Sequence, residues 1–157
     1  MKYHRLFAGL LTLCLILAAT LGLSGCSLKN NADECKAAME AMLDAVIAND
    51  VDAAKALMHP VSNVTDEQFD AYFEKLASYM PVTEDYKISY LSMKNHVNAS
   101  PSGTVKTVSG IYKILSDGQT FYAVFSYKSS SSGVGFEKLR FLNEEDFALL
   151  EGIGWDT

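Results

Sequence analysis

Cysteine is scarce in this chain: three in 157 residues, at positions 14, 26 and 35. No Cys-x-x-Cys and no His-x-x-x-His pair is present, so the clustered ligands of a zinc site are missing. No Gly-x-Ser-x-Gly elbow announces a serine nucleophile, and no glycine-rich loop is built to cradle phosphate. Nothing in the sequence calls for a cofactor. Positive charge is in deficit, with 13 Lys and Arg against 19 Asp and Glu, a net charge of −6, and no Lys/Arg cluster reverses this locally. An acidic surface repels nucleic acid and anionic headgroups, so nucleic acid is not expected as a partner. Internal repeats are absent too.

Acidic residues are missing from the N-terminus, and what stands there is an export signal. Lys2, His4 and Arg5 make a basic start, Leu6 to Leu23 is almost wholly apolar, and Ser24 and Gly25 are small. The run closes on Leu23-Ser24-Gly25-Cys26, which resembles the lipobox of bacterial lipoproteins. The resemblance implies that residues 1–25 are a signal peptide, that Cys26 receives a diacylglyceryl thioether, and that the mature chain begins there. An uncleaved membrane helix is the alternative, since the run is about as long as the roughly 20 apolar residues that cross a bilayer. Both readings keep the basic end in the cytoplasm and place the rest outside it. Two acyl chains suffice for stable anchoring, so the membrane is an expected partner through Cys26. Residues 26–31 form a tether, of which Ser27 to Asn31 reach at most about 18 Å. The folded part is therefore expected close to the membrane surface.

Removing residues 1–25 leaves 11 basic and 19 acidic residues, a net charge of −8. One domain is expected over 32–157. With Cys26 lipidated, Cys35 has no partner for a disulfide. It falls on an apolar helical stripe and reads as a small buried hydrophobe, with a reactive thiol as the alternative.

The first half reads as helices. Asn31 with Glu34 forms a capping box, followed by an apolar face of Cys35, Ala38, Met39, Met42, Leu43, Val46 and Ile47. Asp50 caps a short helix from Val51 to Met58, which His59-Pro60 ends. Thr65 to Gln68 is a second capping box, and Phe69, Tyr72, Phe73, Leu76, Ala77 and Met80 recur at helical spacing until Pro81. From Asp85 the period falls to two. Strands are expected to about His96, over 104–115, over 121–128 and over 134–142. Asn98 to Gly103 is a polar turn, Asp117-Gly118 a tight hairpin, and Ser129 to Gly133 a flexible loop. Gly110 marks a bulge or bend. Asn143 opens a short helix through Leu150, and Trp155 then folds back or is left as a tail. Helices followed by strands predict an α+β fold, N-terminal helices on a curved antiparallel sheet of about four strands.

This order, with Ala48 to Pro60 as a short acidic break and a small helix ending near proline, resembles the nuclear transport factor two-like and ketosteroid-isomerase-like (cystatin-like cone) superfamily. The resemblance implies a cone between helices and sheet. The aromatics Phe69, Tyr72, Phe73, Tyr90, Tyr112 and Phe125 are the candidate lining of a pocket there for a small apolar ligand, with tyrosine hydroxyls orienting it. A closed core is the alternative reading. A homodimer through the sheet face is also open, because such cones often pair through their sheets. If Phe121, Ala123, Phe125 and Tyr127 face the helices, Tyr122, Val124 and Ser126 lie outside. Members that are enzymes place an Asp or His in the cone. Here His59, His96 and Glu137 are the only residues to weigh, and no spacing fixes them against one another. The activity expected is therefore small-ligand or protein binding by a membrane-anchored lipoprotein, with a dimeric structural or interaction domain beside it and an isomerase- or hydratase-like enzyme ranked behind both.

Overall fold

A computed structural model describes residues 29–62 and 64–151. The expected signal peptide (1–25), Cys26, the first half of the expected tether (26–28) and Trp155 lie outside the described residues. Contacts divide the chain into Met1–Asp33 and Glu34–Thr157. Everything below from Glu34 onward concerns the second unit. Helices α1 (Lys29–Ala48), α2 (Val51–Ala56) and α3 (Asp66–Tyr79) come first. Strands β1 (Lys87–Ser100), β2 (Gly103–Ser116), β3 (Gln119–Ser130) and β4 (Gly133–Asn143) follow, and α4 (Glu144–Glu151) closes the described chain. The strands form one curved, open antiparallel sheet in the order β1-β2-β3-β4, the α+β arrangement expected.

Local chemistry sets most boundaries. The side chain of Asp50 accepts the Ala53 N–H at 3.0 Å and caps α2. Thr65 and Gln68 exchange reciprocal bonds at the start of α3, Gln68 N–H to Thr65 Oγ1 at 3.3 Å and Thr65 N–H to Gln68 Oε1 at 3.1 Å. The Asn143 side chain accepts the Asp146 N–H at 2.8 Å and starts α4. Asp117 and Gly118 both have positive φ, 48° and 74°, as a type I′ hairpin requires.

Four local expectations shift. β1 runs past His96 to Ser100, so the polar turn expected over Asn98 to Gly103 shrinks to Pro101-Ser102. α1 opens at Lys29, ahead of Asn31, because a helix once nucleated propagates through a residue that could have capped it. α2 stops at Ala56, and Met58 pairs in parallel with Phe136 of β4. The stretch Ser129 to Gly133 is a two-residue turn rather than a loose loop. Strand pairing runs through Ser130↔Gly133, and Ser130 Oγ holds the turn by accepting Ser132 N–H at 3.3 Å.

The core lies between α1–α3 and the concave face of the sheet. α1 contributes Cys35, Met39, Met42, Leu43 and Val46, and α3 contributes Phe69, Phe73 and Leu76. Val108, Tyr112 and Ile114 of β2 and Phe121, Ala123, Phe125 and Tyr127 of β3 meet them from below. On the convex face Tyr122 and Leu142 pack with Phe147 of α4, the Tyr122 and Phe147 rings stacked with centroids 3.8 Å apart. The sheet bends where β1 shifts register between Tyr90 and Ser92. Gly110, expected to carry the bulge itself, pairs with Met93 just beyond it, and a Cβ there would collide with the Ser92 carbonyl oxygen. That close approach is the reason for glycine in mid-strand.

Candidate functional site

α3 and the chain after α2 together close the free edge of β4. Leu57 C=O accepts the Phe136 N–H, and Phe136 C=O accepts the His59 N–H, both at 2.9 Å. Further along, Tyr72 Oη accepts the Phe141 N–H at 3.1 Å and Tyr79 Oη accepts the Asn143 N–H at 2.9 Å. Tyr72 and Tyr79 stand seven residues apart, two turns along one helix face, which lets both hydroxyls reach the same strand. Tyr79 also donates to the Asp146 carboxylate. In an antiparallel ladder every second residue turns its N–H and C=O to the free edge. Phe141 and Asn143 alternate with Leu142 in this way, so Leu139 is the next edge-facing residue. Among the described residues nothing bridges to it.

A cavity of about 220 Å³ opens at that gap. Met42 of α1, Met58, Val64, Phe69, Tyr72, Phe73 and Leu76 line it from the helical side, and Leu139 and Phe141 from β4. Apolar cavities of roughly 150 Å³ already take up a benzene-sized molecule. Because the Tyr72 oxygen accepts a backbone N–H, its own hydrogen remains to be donated. Burial pushes the Tyr72 phenol above its usual range, partly offset by the Phe141 N–H and by Arg140. The group is therefore a neutral donor at physiological pH. A more polar recess of about 200 Å³ adjoins, sharing Met58, Val64 and Phe69 and adding Lys55, His59 and Asp66. Lys55 Nζ pairs with Asp70 at 2.7 Å, and that hydrogen bond raises the lysine pKa.

Of the six aromatics expected to line a pocket, Phe69, Tyr72 and Phe73 meet at this cavity. The other three form a separate column of rings: Tyr90 on Tyr112 at 4.6 Å and Tyr112 on Phe125 at 4.8 Å between centroids. Tyr112 is fully enclosed, and its hydroxyl has no hydrogen-bond partner among the described residues. Burial, with Tyr90 and Cys35 beside it, holds that phenol far above its usual range. Cys35 is buried too, and desolvation pushes its thiol up to about 12. It is an inert hydrophobe, as its place on the stripe implies.

The residues weighed for chemistry do not converge. His96 lies on the exposed part of β1, and Glu137 pairs with Lys128 across the sheet at 2.9 Å. His59 is 1 % exposed and lies 3.2 Å from Ser130 Oγ, a nucleophile-and-base contact that sequence spacing did not reveal. Its partners give it another role. The Val61 N–H donates to Nδ1 at 3.2 Å, so the hydrogen sits on Nε2 and is donated to Ser130. A base for Ser130 needs the opposite tautomer. His59 therefore ties the β3–β4 turn to the chain after α2. Among the described residues no three His, Cys, Asp or Glu side chains converge as a metal site.

Met42, Met58, Val64, Leu76, Leu139 and Phe141 were missed as lining. Met42 and Leu76 read as core on their helical stripes, and the others depend on which segment lies against β4. Comparison of the chain with family models, with curated proteins and with solved structures gives no match in any of the three. Among the described residues no helix is long and apolar enough to cross a membrane.

Proposed function

We propose that this protein is a membrane-anchored, extracytoplasmic binding module. Cys26 carries the lipid, and the cavity beside Leu139 takes a small, mainly apolar ligand with one hydrogen-bond acceptor. The observation that carries the reading is the Tyr72 hydroxyl, fixed by the Phe141 N–H and left with a hydrogen to donate at an apolar cavity wall. Pockets of this composition, apolar with few placed polar groups, are the usual form of small-molecule sites. The Leu139 edge amide gives the ligand's polar end a second contact. The cone expected from the superfamily resemblance supports the same location, and among the described residues lining the cavity no acid–base pair favours an enzyme.

Native mass spectrometry of the exported chain from Ser27 onward tests the binding reading. A co-purified small mass on a monomer that is lost in Tyr72→Phe supports it. An apo dimer would instead favour pairing through the convex sheet face, at Val124 and Ser126 beside the part that α4 covers. The anchor is tested separately. Cys26→Ala is expected to stay unprocessed or to leave the membrane, and processed, membrane-bound Cys26→Ala protein would sink the lipoprotein assignment.

A further inference from the structure

The edge of β4 already shows what fits it. At Phe136 the chain after α2 makes a parallel bridge: Leu57 C=O accepts the Phe136 N–H and the His59 N–H donates to Phe136 C=O, both at 2.9 Å, with Met58 paired between them. The Met58 side chain lines the cavity. At Phe141 and Asn143 the Tyr72 and Tyr79 hydroxyls stand in for the carbonyl of such a bridge, at 3.1 and 2.9 Å. Leu139 lies between Phe136 and Phe141 and turns its N–H and C=O to the same edge. Among the described residues neither group is bonded from that side. A donor and an acceptor left side by side on a strand edge are a template for another peptide group.

Length limits what can pair there. From Phe136 to Phe141 an extended chain covers at most about 17 Å, and residues 57–59 and the Tyr72 hydroxyl hold the two ends of that stretch. A long strand has no way past them. One residue with the peptide group on either side of it, about 7 Å between its outer Cα atoms, fits between them. Residues paired across strands present their side chains to the same face, so the side chain of this residue falls beside Leu139, over the cavity of about 220 Å³. Among the described residues that line the cavity none is charged, and that side chain is therefore apolar.

We infer that the ligand of this cavity is a small N-acylated amide of one apolar amino acid, bound by repeating at Leu139 the bridge that Met58 makes at Phe136. The acyl carbonyl accepts the Leu139 N–H, and the N–H of the amide that follows donates to Leu139 C=O. The apolar side chain fills the cavity, and the Tyr72 hydroxyl donates to the remaining carbonyl. This rests on the binding reading above and adds to it a second carbonyl and a donor at a fixed place in the ligand. An apolar molecule with acceptors alone leaves Leu139 C=O desolvated and unpaired, which costs affinity. A free amino acid fits poorly, because its charged ends would enter an apolar cavity that offers no opposite charge.

The test uses the full chain in nanodiscs of neutral lipid and two probes of one shape, N-acetyl-leucine N-methylamide and N-acetyl-leucine methyl ester. In the ester an oxygen replaces the single N–H that Leu139 C=O would accept. Calorimetric titration should give roughly tenfold tighter binding of the amide, the effect of one hydrogen bond and of a buried carbonyl left facing an ester oxygen. Amide hydrogen exchange at Leu139 should slow when the amide is bound. Equal affinity for the two probes, each weakened in Tyr72→Phe, overturns this inference and leaves the binding reading standing. So does tighter binding of the amide with unchanged exchange at Leu139. No binding of the amide at millimolar concentration also overturns the inference, and the binding reading falls with it only if native mass spectrometry finds the chain without a ligand.

Discussion

Gly135→Ala should be among the most damaging single-methyl changes in this domain. Gly135 precedes Phe136 on β4 and has a φ of +156°, where L side chains are strained. A Cβ there would stand 2.7 Å from His59 N, Leu57 O and Met58 C, all backbone. No side chain can swing away, so the chain at 57–59 must move off β4. That breaks the two 2.9 Å bonds between Phe136 and residues 57 and 59, and it withdraws Met58 from the cavity wall. Two backbone bonds contribute about 2 kcal/mol, and the backbone conformation adds about 1–2 kcal/mol. The expected loss is about 3–4 kcal/mol, or roughly 15 °C in Tm for a domain of this size. Gly118→Ala is the control. It shares the positive φ, at +74°, but a Cβ there meets nothing within 4 Å, so only the conformational part applies, about 1–2 kcal/mol. Thermal unfolding followed by far-UV circular dichroism measures both. If Gly135→Ala loses no more than Gly118→Ala, the close approach of residues 57–59 to β4 is refuted.

Other perturbations separate the remaining contacts. Tyr72→Phe removes the acceptor for the Phe141 N–H and should cost about 1 kcal/mol in urea unfolding, with faster hydrogen exchange at Phe141 and unchanged exchange at Asn143, which Tyr79 holds. Phe147→Ala removes the ring stacked on Tyr122 and should cost about 3 kcal/mol. α4 should lose its exchange protection, and an unchanged amide pattern over 144–151 would refute its docking through that ring. The Cys35 thiol has a folded pKa of about 12 against 9.0 when free. Between those values the unfolded chain gives up this proton and the folded chain keeps it, so stability is full below pH 9 and falls as pH rises towards 12. Cys35→Ala should flatten that decline in urea titrations at pH 8, 9.5 and 11. The native thiol should also resist a disulfide reagent at pH 8 until the protein is unfolded.

The features that the sequence announces depend on neighbours a few residues apart. The Asp50 cap, the Thr65–Gln68 box and the Asp117-Gly118 turn each rest on one short segment and stand where expected, whereas the bulge expected at Gly110 is found in the neighbouring strand, between Tyr90 and Ser92. The apolar faces of α1 and α3 and the inward set Phe121, Ala123, Phe125 and Tyr127 follow from periods of 3.6 and two, which backbone geometry imposes whatever lies opposite. The serine stretch at 129–133 misleads because its composition suits a loose loop, whereas Ser130 Oγ bonds locally and tightens it.

Relations between distant segments were decided only in three dimensions. Phe69, Tyr72 and Phe73 share a helix face, so their convergence on one wall is legible. The opposite wall is not, because Leu139 and Phe141 reach the cavity only through the docking of α3 and residues 57–59 on β4. Tyr90, Tyr112 and Phe125 have the same residue types but sit across the sheet, where cross-strand register stacks them with one another. The sequence by itself determined most of the elements and their buried faces, because local sterics, capping and periodicity act within a few residues. Tertiary structure alone decided which strand edge is closed and where the cavity opens, because both depend on groups brought together from far apart in the chain.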